Sequence, residues 1–130
     1  KVTSAKMWET QRRGELLELF REQAYGRRPG AKYEVSFRVE SEVKDAFDGA
    51  ATGRDLVAKI TVGERSFEFP FVVFVPNKAR GKVPAVVHIN NRYPLPVQAV
   101  LAKHDPFWPV RTLIERGYAT ASFHETCTTG

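Results

Sequence analysis

Between residues 83 and 123 the chain reads Val83-Pro84-Ala85-Val86-Val87-His88-Ile89-Asn90-Asn91-Arg92-Tyr93-Pro94 at one end and Glu115-Arg116-Gly117-Tyr118-Ala119-Thr120-Ala121-Ser122-Phe123 at the other. Val83 to Ile89 is apolar on both faces apart from His88, the pattern of a strand buried between two layers. A polar loop follows. Asp105 and Pro106 then suit the N-cap and first position of a helix. Phe107, Val110, Leu113 and Ile114 share one side of that helix, and Arg111, Glu115 and Arg116 share the other. Arg116-Gly117 closes it, and Tyr118 to Phe123 reads as a second strand. Strand, helix, strand predicts a parallel pair joined by a right-handed crossover. Ligands of open α/β sheets bind beyond the carboxyl ends of such strands, which directs attention to His88-Ile89-Asn90-Asn91-Arg92.

Working outward, Met7 to Tyr25 predicts a helix, with Leu16, Phe20 and Ala24 spaced four apart and Leu17 beside them. Gly14 weakens its interior. Gly26 and Pro29 end it. Tyr33, Val35, Phe37 and Val39 alternate with Glu34, Ser36, Arg38 and Glu40, as in a half-buried strand. A turn over Asp48–Gly53 precedes a second alternating strand, Leu56 to Val62. After Gly63-Glu64-Arg65 comes a third, carrying Phe67, Phe69, Phe71, Val73 and Val75. Pro70 lacks an amide donor and predicts an edge or bulge position. These three strands form an antiparallel meander with one aromatic face. The last of the seven elements, Tyr118–Phe123, is expected to be a bare parallel edge, which makes the chain the front part of a larger domain.

With 130 residues the chain suffices for one core. Hydrophobic residues at 42% and charged residues at 27% are ordinary for a globular protein. The formal charge of +5 is scattered, without the basic stripe and interleaved aromatics that track a phosphate backbone. A nucleic-acid partner is therefore not expected. A single cysteine, Cys127, excludes an internal disulfide. No apolar run reaches the ~20 residues of a membrane span, and no signal peptide opens the chain. Three dispersed histidines give no metal spacing, and no glycine-rich phosphate loop is present. No cofactor is expected.

Trp8-Glu9 with Arg12-Arg13-Gly14-Glu15-Leu16-Leu17-Glu18-Leu19-Phe20 and Tyr25-Gly26-Arg27-Arg28-Pro29 resembles the N-terminal segment of bacterial acetyl xylan esterase-like and glucuronoyl esterase-like α/β-hydrolases. Phe74-Val75-Pro76-Asn77, Val83 to Asn90 and Arg116-Gly117-Tyr118-Ala119-Thr120-Ala121 also match that group. The resemblance runs from about Trp8 to His124. It implies an α/β-hydrolase fold: an N-terminal helix and antiparallel strands leading into a parallel βαβ unit. Residues 1–130 are then the N-terminal portion of one incomplete domain. It also implies a serine esterase acting on acylated or esterified carbohydrate, secreted or periplasmic, whose serine, acid and histidine follow the segment present here. The serines here are Ser4, Ser36, Ser41, Ser66 and Ser122, and none lies in a Gly-x-Ser-x-Gly elbow. This chain alone is expected to be inactive and to need the rest of its domain or another subunit.

What the resemblance leaves for this segment is an oxyanion-hole loop, Asn90-Asn91-Arg92, where backbone amides would hold a tetrahedral oxyanion and Arg92 could add a cation for an acidic sugar. Asn side chains satisfying their own backbone are the alternative for that loop. His124 ends the last strand on the functional edge, with a substrate or supporting role in view. His88 reads as a hydrogen-bonded core histidine, His104 as capping or solvated, and Trp8 and Trp108 as packing residues. Cys127 stands three residues from His124, with nothing to fix a Cys–His geometry. The competing function is a non-catalytic carbohydrate- or protein-binding β-rich module, with Phe67, Phe69 and Phe71 partly exposed.

Overall fold

The computed structural model describes residues 1–28, 30–92 and 96–128, the last two by backbone alone. It divides into two compact units, Lys1–Ala31 and Lys32–Gly130. The stop expected at Pro29 lies outside the described residues.

The first unit is helical. Ala5–Met7 (α1) and Arg13–Phe20 (α2) are joined by a π-helical turn at Trp8–Arg12, and a second π turn, Arg21–Tyr25, follows α2. Ser4 caps the start: its hydroxyl accepts the Met7 N–H at 3.1 Å. Gly26 ends the helix with φ +73°, where a Cβ would be strained. Glu15 pairs with Arg12 at 2.9 Å, and Glu18 with both Arg21 and Arg27.

The second unit is a five-stranded sheet in the order β1-β2-β3-β5-β4. Its strands are Glu34–Asp45 (β1), Ala51–Val62 (β2), Arg65–Pro76 (β3), Ala85–Asn90 (β4) and Ala119–His124 (β5). The predicted meander is present, both pairs antiparallel. Beta4 and β5 are parallel, as the apolar runs predict, in register from Ala85↔Ala119 to Asn90↔His124. One expectation fails. The bare edge is β4, not the Tyr118–Phe123 run, because β5 inserts antiparallel against β3 through Val72↔Ser122, Val73↔Ala121 and Phe74↔Thr120. Beta4 is also not covered on both faces: Val87 and Ile89 are each 62% exposed.

Among the described residues, three α-helical segments, Ala46–Gly49 (α3), Val97–Ala102 (α4) and Val110–Glu115 (α5), and a 3₁₀ turn at Glu125–Thr128 complete the unit. Alpha4 falls inside the stretch expected to be loop. Alpha5 starts later than Asp105-Pro106 predicts. In a helix begun there, Pro109 would fall where the first intrahelical amide bond is needed, and it has no amide hydrogen. Asp105 instead closes a local turn, its Oδ1 accepting the Phe107 N–H at 2.9 Å. In α3, Phe47 and Asp48 take left-handed φ of 55° and 61° and Gly49 follows at 80°. Each non-glycine residue there costs about 1–2 kcal/mol. Asn77 offsets that cost: its Nδ2 donates to the carbonyls of Lys44 (2.8 Å) and Gly49 (3.0 Å), and its Oδ1 accepts the Thr52 hydroxyl (2.7 Å).

The core lies on one sheet face, where Val72, Phe74, Val97, Trp108, Val110 and Ile114 pack together. Gly53 is required under it. A Cβ there would lie 2.7 Å from the Phe74 ring and 3.0 Å from Val97 Cγ1. Trp108 is 3% exposed, confirming the packing role expected of it. Its Nε1–H donates to Thr120 Oγ1 at 2.8 Å, and that hydroxyl donates to the Val86 carbonyl at 3.1 Å. The chain of bonds ties the lead-in to α5 across β5 to β4. On the opposite face, Phe67 is exposed while Phe69 and Phe71 are half-buried. Phe69 packs on Phe123 at 5.7 Å and Phe37 on Phe71 at 5.8 Å between ring centroids.

Candidate functional site

Beta5 keeps pairing with β4 up to Asn90↔His124 but stops pairing with β3 at Val72↔Ser122. Pro70, two residues beyond that last pair, brings no amide donor to extend the ladder. A cavity of about 310 Å³ is lined by residues flanking this point, among them Asp55, Pro96, Asn90 and His124. It lies at the carboxyl ends of the two parallel strands, where α/β sheets place their ligands.

Asn90 is the buried last residue of β4. Its Oδ1 accepts the Arg92 N–H at 2.9 Å, closing an Asx turn over Asn91. That hydrogen bond commits the Arg92 amide to the loop itself. Asn91 and Arg92 are exposed, and the Arg92 guanidinium sits over the Phe107 ring, 3.6 Å from its centroid.

His124 lines the cavity beside Asn90. Its Nδ1 accepts the Thr126 N–H at 3.2 Å and lies 2.7 Å from the Thr126 hydroxyl. A nitrogen that accepts from a backbone amide carries no proton, so the neutral ring holds its proton on Nε2. His124 is thereby fixed as an Nε2–H donor.

Asp55 also reaches the cavity, from β2. Its Oδ1 accepts the Val97 N–H at 2.9 Å, capping α4 from another element, and its Oδ2 accepts the Ser41 hydroxyl at 2.5 Å. Both partners are neutral, so the carboxylate charge stays uncancelled. Glu40 comes from the β1 register shift between Val39 and Ser41. Sequence alternation misses Asp55 and Glu40, because their roles depend on a bulge and on a helix 42 residues away.

The other candidates have ordinary surroundings. Ser122 is buried with its Oγ 3.3 Å from His88 Nδ1, and His88 stacks on Trp108 with centroids 5.9 Å apart. His88 is thus hydrogen-bonded as expected, but half-buried rather than in the core. His104 is exposed. Cys127, as a partner for His124, has its side chain outside the described residues. No cluster of metal-ligating side chains occurs among the described residues. No helix among them is long and apolar enough to cross a membrane.

The fold is that of the α/β-hydrolases. The structure matches a glucuronoyl esterase from Solibacter usitatus with TM-score 0.65 at 20% identity, covering 95% of this chain and 37% of that one. A promiscuous CE15 esterase from a marine bacterial metagenome gives TM-score 0.65 at 22% identity, with coverage of 95% and 37%. A CE15 glucuronoyl esterase from Teredinibacter turnerae gives 0.57 at 21%, with 95% and 32%. In sequence, the carbohydrate esterase MZ0003 of an unknown prokaryotic organism is 33% identical over 92 residues, which is 69% of this chain and 21% of that protein. No protein-family model matches. The chain is similar to the N-terminal part of a glucuronoyl esterase-like α/β-hydrolase, as its motifs indicated. It spans about a fifth of the curated relative and about a third of the solved chains.

Proposed function

We propose that residues 1–130 are the N-terminal portion of a single hydrolase domain, the front part of a secreted or periplasmic serine esterase acting on esterified carbohydrate. The observation that carries this is the sheet order, with β5 between β3 and a parallel β4, together with the similarity to a carbohydrate esterase over 92 residues. The chemistry would be acyl transfer to a serine followed by hydrolysis. None of the five serines here is the nucleophile. Ser122 is buried within β5, Ser41 is bonded to Asp55, Ser4 caps a helix, and Ser36 and Ser66 are exposed strand residues.

This segment contributes the loop Asn90-Asn91-Arg92 to the oxyanion hole. With the Arg92 amide held by Asn90, the Asn91 amide is the backbone donor assigned to the oxyanion. His124 contributes its Nε2–H to substrate. The test is to read the source open reading frame past codon 130 and assay its product on a methyl glucuronate ester. A Gly-x-Ser-x-Gly serine and turnover are expected there, with no p-nitrophenyl acetate turnover above background by the 130-residue chain. A product lacking such a serine, or turnover by the short chain, refutes the proposal.

The competing binding module draws on the exposed Phe67 and half-buried Phe69 and Phe71. It gives no account of a parallel pair whose carboxyl ends meet at a cavity.

A further inference from the structure

Phe107 lies outside the core cluster, ahead of α5 rather than on its apolar side, and is 63% exposed. The Arg92 guanidinium sits on its ring, Cζ 3.6 Å from the centroid. Phe107 is itself held in place. Its N–H donates to Asp105 Oδ1 at 2.9 Å, and the N–H of Trp108 donates to the Asp105 carbonyl at 3.2 Å. Buried Trp108 bonds the Thr120 hydroxyl, which bonds the Val86 carbonyl of β4. Arg92 is held at its backbone too, its N–H donating to Asn90 Oδ1 at 2.9 Å. A closed circuit results. It runs from Asn90 at the end of β4 through Arg92 to Phe107, then through Trp108 and Thr120 back to β4 at Val86. Asn91 is the one residue between the two fixed points, Asn90 and Arg92.

We infer that Phe107 is a positioning residue: by holding the Arg92 guanidinium it fixes the Asn91 backbone, and with it the N–H assigned to the oxyanion. The ring is needed because its electron-rich face attracts the cation, which an aliphatic side chain of similar size does not. Phe107 acts through Arg92 on a donor that meets charge developing in the reaction. Its effect therefore falls on the transition state and not on substrate binding. That effect on turnover rests on the esterase reading; the stack itself does not.

The experiment uses the full-length product of the open reading frame, as the parent and as Phe107→Leu, Phe107→Trp, Arg92→Gln and the Arg92→Gln/Phe107→Leu pair. On the methyl glucuronate ester, Phe107→Leu is expected to lower kcat about two- to fivefold, the factor an exposed cation–π contact is worth, with KM unchanged. Phe107→Trp is expected to keep the parent kcat, and the double variant to be no slower than Arg92→Gln. Exchange of the Arg92 backbone amide with water is read by NMR on protein labelled with ¹⁵N-arginine. It is expected to quicken in Phe107→Leu and not in Phe107→Trp, with the remaining arginine signals unmoved. Parent kcat or parent exchange in Phe107→Leu, a raised KM at constant kcat, or losses that multiply in the double variant overturn the inference. A parent without turnover refutes the esterase reading instead, and the Arg92 exchange alone then upholds or overturns the stack.

Discussion

Thr120→Val tests the bond chain that fixes β4 against β5, and with it the positions of Asn90 and His124. The substitution is nearly isosteric. It removes the hydroxyl that accepts the Trp108 Nε1–H at 2.8 Å and donates to the Val86 carbonyl at 3.1 Å. Trp108 is 3% exposed, so water cannot replace the lost acceptor. An orphaned buried donor costs about 1–3 kcal/mol. Loss of the donor to Val86 adds less, because that carbonyl lies on the edge strand. The expected total is about 2 kcal/mol, which for a chain of this size lowers Tm by about 8 °C. Trp108→Phe leaves a void against Phe74 and His88 and loses the same bond, and should cost about 2–3 kcal/mol. The two costs must not add. With Phe at 108 no indole N–H is left to orphan, so Thr120→Val should then cost about 1 kcal/mol less. Urea unfolding followed by far-UV circular dichroism on the four members of the cycle measures this. An additive cycle, or a neutral Thr120→Val in the parent, refutes the claim that this bond is buried and formed.

Gly53→Ala should destabilise by about 1–3 kcal/mol, because the new methyl meets the Phe74 ring and Val97; thermal unfolding checks it. Asn77→Ala removes three hydrogen bonds from the left-handed turn at Phe47 and Asp48. A loss of about 1.5–3 kcal/mol is expected, with faster amide exchange confined to residues 44–52. Asp55→Ala strips the cap from the Val97 amide and should cost about 1–2 kcal/mol, visible as selective loss of protection in α4. The Glu42 carboxyl is held below the ordinary carboxylate range by its hydrogen bond from Arg54. Because the folded pKa is the depressed one, its contribution is present at neutral pH and is lost as pH falls through the folded value. Glu42→Gln should therefore flatten the acid limb of the stability profile slightly, and an unchanged limb would contradict the pairing.

The parts of this structure that were legible in sequence are those governed by near neighbours. Alternation of Val35, Phe37 and Val39, and of Phe67, Phe69 and Phe71, fixes strand type because side chains repeat every two residues whatever the partner. The apolar runs at Val86 and Ala119 announce their parallel pairing because a helix of the right size stands between them. The strand order was not legible. Whether β5 lies outside β4 or between β4 and β3 depends on three pairs, Val72↔Ser122 to Phe74↔Thr120, across nearly fifty residues of chain. Alpha4 was hidden for the same reason. Its start follows Pro96 with no capping residue of its own, and the cap comes from Asp55 on β2.

The site repeats this division. Asn90, Asn91 and His124 could be chosen from sequence because they follow directly from where strands end. Glu40 could not, because one extra residue in β1 breaks the alternation that would assign it a face. Arg92 was chosen for its charge, and that charge is spent on the Phe107 ring beyond the loop's turn. Its amide is spent too, on Asn90 Oδ1. Sequence therefore pointed to the end of the sheet where a ligand is expected, but could not show that Arg92 stacks on Phe107 or that Glu40 and Asp55 stand among the mainly apolar residues lining the cavity there.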